Sequence, residues 1–420
     1  MIKNILFEFR KKEIYNILGL FFLRFVGLFL SFLLNIYLAR LLDKDTLGVY
    51  FFLTQIIIIL SVIFRLGLDV SILKYGAYFT KSNFLSAIKI YIGRSIIPFA
   101  LLFLMATFFS LNLLNNDYFK SIIFIGLSVI PYATFNLVAE LLKSQDNQQL
   151  ATLLQTICLP GLLIIILALF DFDIFFTYIL SMFFIAIISI FLAVKIYLNL
   201  KKEGIRSDDR IFLEGKHFLL IAILNVLMSS LDIFMLGVLS DQSNVADYGL
   251  ALRLVSISSV ILIMTNGLIG PHYSNLWKKN RIVELKEHFS RLCIFMAGVA
   301  LATLMTFFIF GELMLEILYG PKYVEIFSLL NILSLGQAVV LATGPVAFML
   351  MMSDSMEKHK ISLLIALLLN IILNIMLIPS YGAIGAAIAT AASLICKNIY
   401  SFNSVYKKFF SDKIMEKYEQ

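Results

Sequence analysis

The chain has 420 residues, of which 60% are hydrophobic and only 15% charged, with a formal net charge of +7. Soluble domains carry about a quarter of their residues charged, so this composition excludes an ordinary soluble enzyme or binding module and points to an all-α integral membrane protein. The positive balance suits the anionic face of a bilayer, and no nucleic-acid partner is expected.

The first elements are two apolar segments, Ile14–Ala39 and Gly48–Leu68, joined by the polar link Arg40–Leu47. Each exceeds the ~20 residues that cross a ~30 Å hydrocarbon core, so together they read as a transmembrane hairpin. Met1–Glu13 carries Lys3, Arg10, Lys11 and Lys12, and the apolar run behind it is too long for a signal-peptide core. The first helix is therefore expected to remain as a signal anchor. Arg24 and Arg65 lie inside the hairpin, roughly 22 Å below Ala39 and roughly 25 Å below Gly48 at ~1.5 Å per residue. A cation at such depth costs about 2.5–3.5 kcal/mol on insertion scales and faces protein or a wet cavity, which makes the hairpin one wall of a cationic cavity.

Apolar runs of spanning length follow at 88–112, 120–142, 150–170, 174–198, 217–240, 248–270, 290–312, 325–352, 361–379 and 382–406. With the hairpin they make about twelve transmembrane helices. Basic residues set the orientation, because Lys and Arg are retained on the cytoplasmic side. Only Arg40, Lys44, Lys120 and Lys322 fall in the outer loops of a topology with both termini cytoplasmic. The longest polar connection, 199–216, then separates an N-terminal six-helix lobe (1–198) from a C-terminal one (217–406), followed by a basic tail (407–420). The two hairpins also share a plan: Tyr50 and Tyr248 each open the helix that follows a polar turn, and repeats of this kind place a transporter's site between lobes.

The second hairpin carries Asp232 and Arg253, roughly 12 Å and 8 Å from its outer end. Facing one another they would form a structural ion pair; apart, Asp232 would titrate or bind a cation while Arg253 stays free for an anionic substrate. Arg94 is close enough to a helix end to snorkel, and it and Asn225 are secondary candidates for the same site. The other buried polar residues, among them Asn136, Asn370 and Asn374, are of the kind that stitch helices together. Cys158, Cys293 and Cys396 lack the spacing of a disulfide framework or zinc site. The four histidines have no paired carboxylates, so neither a metal site nor a catalytic centre is indicated.

The last third combines Asn370 and Asn374 with a Pro379–Gly382 turn and a helix opening on small residues. This text, with Arg40-Leu41-Leu42 ahead of Gly48-Val49-Tyr50, Leu66-Gly67-Leu68-Asp69, the Asp232 to Tyr248 spacing and Tyr319-Gly320-Pro321-Lys322-Tyr323, resembles the O-antigen (Wzx-type) polysaccharide flippases of the multidrug/oligosaccharidyl-lipid/polysaccharide (MOP) exporter superfamily. The resemblance implies two six-helix lobes around a central cavity in the bacterial cytoplasmic membrane. It further implies alternating-access transfer of an undecaprenyl-diphosphate-linked oligosaccharide between leaflets, with membrane lipids and polysaccharide polymerase machinery as partners. Arg24, Arg65 and Arg253 would meet the diphosphate, no cofactor is needed, and coupling to a proton or sodium gradient is left open. Ala246 stands where a glycine is usual in the family. Arginine's planar fork suits phosphate oxygens. A drug exporter of the same superfamily would instead want an acidic cavity, and a membrane-embedded polysaccharide enzyme would want convergent catalytic groups.

Overall fold

The computed structural model describes residues 11–65, 67–93, 116–200, 215–353 and 355–410. Arg94, most of the 88–112 run and most of the 199–216 connection lie outside them. The described residues form helices and turns with no strand, as a bilayer requires: no water there meets an open N–H or C=O, and a helix satisfies both within the segment.

The helices are α1 (Lys11–Leu41), α2 (Lys44–Arg65), α3 (Leu68–Tyr75), α4 (81–93), α5 (Asn116–Ser144), α6 (Gln148–Leu169), α7 (Ile174–Asn199), α8 (Gly215–Leu239), α9 (Gln242–Ser256), α10 (Ser259–Lys278), α11 (Ile282–Tyr319), α12 (Phe327–Ala342) and α13 (Val346–Met352). Residues 356–409 complete the chain as α14 (356–381) and α15 (383–409). Among the described residues eight helices are long and apolar enough to cross a membrane, or nine if the bent pair α9–α10 is one span. Short polar residues start them: Asp43 accepts from Thr46 N at 3.0 Å ahead of α2, and Asp173 from Phe175 N and Phe176 N at 3.0 and 3.3 Å at the start of α7. Each relieves amides that have no partner inside the first turn.

Two predicted spans are interrupted and one expected turn is found, for local reasons. The 248–270 run bends by 49° between α9 and α10, where the hydroxyls of Ser256 and Ser258 bond back to Arg253 O and Val255 O and compete with the helix ladder. The 325–352 run breaks at Gly344-Pro345, with Gly344 at φ 65° and no amide hydrogen on Pro345 to continue the helix. The 361–406 stretch reverses at Gly382, whose φ of 52° and ψ of −128° leave the helical region. That reversal is a true hairpin. A straight helix would put Asn374 and Thr390 about 24 Å apart, yet both reach the Asp232–Tyr248 pair. A side chain on Gly385 would likewise meet Leu377 O at 2.5 Å.

The chain divides into two compact units, one of Leu38–Val49 with Leu231–Gln420 and the other of Glu8–Tyr37 with Tyr50–Ser230. This differs from the sequence division at 199–216 in two places. The change of unit falls inside α8, and the turn between α1 and α2 belongs with the later part of the chain. The second difference has a plain cause: Gly48 lies so close to Gln242 that any side chain on it would overlap the Gln242 carbonyl.

Candidate functional site

In the Leu231–Gln420 unit, four helices converge on one carboxylate. Asp232 of α8 is 5% exposed and accepts at Oδ1 from the side-chain amides of Asn370 and Asn374, each at 2.8 Å. The two asparagines sit four residues apart on α14 and so share a face, and Asn374 also donates to Asn370 Oδ1 at 3.0 Å. Tyr248 of α9, fully buried, donates to Asp232 Oδ2 at 3.1 Å and touches Thr390 Oγ1 of α15 at 2.8 Å. Among the described residues Arg253 is not a partner of this carboxylate, so the ion pair the hairpin charges could have formed is replaced by a cage of neutral amides and hydroxyls. The Gly382 reversal is what brings Asn374 and Thr390 to the same place.

The protons of this cage do not suffice for its contacts. Thr390 donates to Ala386 O at 2.8 Å and Tyr248 to Asp232, which spends both hydroxyl hydrogens and leaves the 2.8 Å Tyr248–Thr390 contact without one. A proton on Asp232 Oδ2 supplies the missing hydrogen, since Tyr248 then turns its own toward Thr390 while Oδ1 keeps its two amide donors. Asn374 Oδ1 is also buried with no hydrogen-bond partner. Burial makes such unmet groups costly.

The same unit gathers charge around the α1–α2 turn. Arg40 donates to Leu318 O at 3.0 Å and to Ile317 O, two of the carbonyls left open at the end of α11. Lys44 pairs with Asp247 at 3.2 Å and with Glu325, and Lys322 donates to Leu42 O at 2.9 Å. Lys44 and Lys322 lie 5.2 and 5.0 Å from the centre of the buried Tyr323 ring. Two sequence motifs, Arg40 to Tyr50 and Tyr319 to Tyr323, are thus halves of one fastening.

In the Tyr50–Ser230 unit, Arg65 donates to Ser61 O at 3.2 Å and pairs with Asp69 at 3.2 Å, with 13% and 15% of the two side chains exposed. Its charge is met from within its own segment. Arg24 differs: it is exposed, and among the described residues it has no acidic partner. At ~100° per residue it stands about 130° around α1 from the exposed Phe22, Phe25 and Phe29, on the face of Ser31 and Asn35. Arg253 donates to Gly249 O at 3.0 Å and is half-buried. Asn225 lies in α8, but its side chain is outside the described residues, as is Arg94. Sequence reading overlooked Gln155, which donates to Asn136 Oδ1 at 3.3 Å and Glu140 Oε1 at 3.1 Å. A π-helical turn at Leu153–Ile157 carries it, and such turns often mark functional positions. The i, i+4 spacing of Asn136 and Glu140 was the available signal.

Residues 37–328 match the model of a family described as polysaccharide biosynthesis protein. The chain belongs to that family. A probable low-salt glycan biosynthesis flippase of Haloferax volcanii is 24% identical over 200 residues, which covers 47% of this chain and 42% of that protein. The chain thus spans less than half the length of this curated relative. Among solved structures, the lipid II flippase MurJ in an inward closed conformation aligns with a TM-score of 0.66 at 16% identity, over 94% of this chain and 88% of that one. An inward-facing multidrug resistance MATE family transporter of the MOP superfamily aligns with a TM-score of 0.65 at 13% identity, over 91% and 94%. The family member therefore has the all-helical, multi-pass membrane fold of the MOP transporters.

Proposed function

We propose that this polysaccharide biosynthesis family member flips an undecaprenyl-diphosphate-linked oligosaccharide from the inner to the outer leaflet of a bacterial cytoplasmic membrane, for surface polysaccharide such as O-antigen. Both termini are cytoplasmic in this reading, and transport follows alternating access. The observation that carries it is Arg24: a guanidinium within a spanning helix, off its aromatic face and, among the described residues, without a carboxylate partner. A diphosphate leaving water needs fixed cations in place of its hydration, and an unneutralised arginine supplies a bidentate one. Arg253 adds a second cation on α9, and Arg65 a third, already shared with Asp69.

Asp232 couples the movement to a proton gradient. Protonation completes the Asp232–Tyr248–Thr390–Ala386 chain of hydrogen bonds, and loss of the proton breaks one link of it, so the packing of α8 and α9 against the α14–α15 hairpin depends on the proton. Sodium, held by Asp232 and the open Asn374 Oδ1, is the competing occupant. The test uses proteoliposomes loaded with a fluorescent undecaprenyl-diphosphate oligosaccharide. Flipping should follow an imposed pH gradient in sodium-free buffer, and Arg24→Ala should abolish it while Arg24→Lys retains a fraction. Full activity of Arg24→Ala, with the protein folded, would remove the diphosphate reading; transport that needs sodium and ignores pH would replace the proton.

A further inference from the structure

The Tyr50–Ser230 unit contains a cavity of about 330 Å³ between α3, α4, α5 and α7. Leu68, Ile72, Phe84, Leu137 and Leu141 form its inner wall and belong to one buried apolar cluster. The polar atoms at its edge are spent on each other, Tyr91 Oη lying 3.2 Å from Thr134 Oγ1. At ~30 Å³ per molecule the space would take roughly ten waters, yet an apolar wall offers them no hydrogen bonds. An apolar chain fills such a space better than solvent.

Its outer margin is formed by Ile88 and Ile92 of α4 and Ile190 and Val194 of α7, all between 40% and 55% exposed. α7 is long and apolar enough to cross a bilayer, and exposed branched apolar side chains on such a helix meet lipid, which opens the cavity toward the acyl chains. Its rim is basic. Lys74 lies 4.7 Å from the centre of the Tyr75 ring, and Lys81 lies 5.3 Å from that of Tyr197, whose ring is itself 5.3 Å from Phe84 of the wall. Lys89 and Lys195, both exposed, adjoin Ile88 and Val194 in the chain. Neither 70–93 nor 174–200 contains an Asp or Glu. Among the described side chains, the acids on the other two elements are already matched, Asp69 of α3 by Arg65 and Glu140 of α5 by Lys143. Four cations at the rim of an apolar slot open to lipid match one kind of ligand, a phosphate head with a hydrocarbon tail.

We propose that this cavity seats one acyl chain of an anionic phospholipid of the surrounding bilayer, with its phosphate among Lys74, Lys81, Lys89 and Lys195. The proposal does not depend on the arginines assigned to cargo and stands whether or not that assignment does.

The experiment uses the full chain reconstituted in phosphatidylcholine vesicles with a trace of phosphatidylglycerol bearing a photoactivatable group on its acyl chain. Adducts should concentrate at least fivefold in 84–92, 134–141 and 190–194 over the equally exposed apolar stretch 294–309 of α11. The same group on phosphatidylcholine should show no such concentration. Ala87→Phe, which fills the slot, should remove the excess, and Lys74→Gln with Lys81→Gln should erase the preference for phosphatidylglycerol while leaving expression and monodispersity intact. Even labelling of both regions, or phosphatidylcholine labelling as strong as phosphatidylglycerol, would overturn the proposal. So would displacement of the label by undecaprenyl phosphate at a small fraction of the phosphatidylglycerol concentration, which would give the slot to the carrier lipid. Should Ala87→Phe fail to fold, the lysine variants and the two-lipid comparison decide alone.

Discussion

Lys44 and Asp232 belong to the same compact unit and meet opposite surroundings. Lys44 has 22% of its side chain exposed and stands between two carboxylates, Asp247 and Glu325. Asp232 is enclosed among two amides and a phenol, all neutral. A charge facing its opposite near water is satisfied in one arrangement and contributes about 0–1 kcal/mol. An enclosed carboxylate with neutral donors has two arrangements, and its proton selects between them. The first region holds a turn in place; in the proposed function the second changes with an ion.

The strongest way to break this contrast is to remove the enclosed carboxylate. Asp232→Leu strands the donors of Asn370, Asn374 and Tyr248 in a dry interior, at about 1–3 kcal/mol each. The expected outcome is loss of a monodisperse folded protein in gel filtration. Asp232→Asn keeps two acceptor–donor contacts and can donate to Tyr248, as the protonated acid would, so it should fold normally and transport without response to a pH gradient. A well-folded Leu variant would mean that the cage encloses no charge of consequence.

Gly48→Val attacks the fastening instead. No side chain fits between Gly48 and the Gln242 carbonyl, and backbone cannot yield as a flexible side chain does. The turn should part from α9, with a fall in melting temperature of several degrees in detergent and faster proteolysis between α1 and α2. Gly48→Ala should show a smaller drop in the same direction, and an unchanged melting temperature for both would show the contact to be dispensable.

Both regions were partly legible in the sequence. The apolar runs and the Pro379–Gly382 turn mark helices and a reversal, because a bilayer leaves the backbone few choices and proline and glycine punctuate them. Asp232, Asn370, Asn374 and Tyr248 are each conspicuous as polar residues in apolar text, but they lie up to 142 positions apart, and nothing local says that they meet. Whether Asp232 pairs with Arg253 stayed open in the sequence for that reason: similar depth along two helices does not fix which way each side chain turns. Arg65 has its partner only four residues on, but Asp69 lies beyond the left-handed Gly67 and in the next helix, so helical spacing does not announce the pair. The break near Ser256 was hidden because hydropathy sums over a bend as readily as over a straight helix, whereas Pro345 marks its own by lacking an amide hydrogen.

Smaller effects sharpen the contrast. Lys44→Gln should cost less than about 1 kcal/mol of stability, since Glu325 is 69% exposed and returns to water unaided. Exchanging the two charges, Lys44→Glu with Glu325→Lys, should recover part of that loss, measured as a double-mutant cycle in melting temperature. The cycle separates attraction from mere packing against Tyr323, which the exchange does not restore.

A variant of comparably small effect isolates enclosure from donor type. Asp43, like Asp232, is held by neutral groups, but it is exposed. The backbone N–H of Thr46 keeps its carboxyl below the usual carboxylate range, with the Thr46 hydroxyl adding to the shift. A lowered value means that the cap stabilises α2 above the unfolded carboxyl's pKa of about 3.9 and loses that contribution as pH falls through the folded value. Asp43→Ala should therefore lower the melting temperature slightly at pH 7, by no more than the ~0.5–2 kcal/mol of an N-cap, and the gap should close toward pH 3. Its transport should keep the wild-type response to a pH gradient. If Asp43→Ala blunted that response as Asp232→Asn does, neutral donors alone would account for the switch, and burial of Asp232 would have no special part in it.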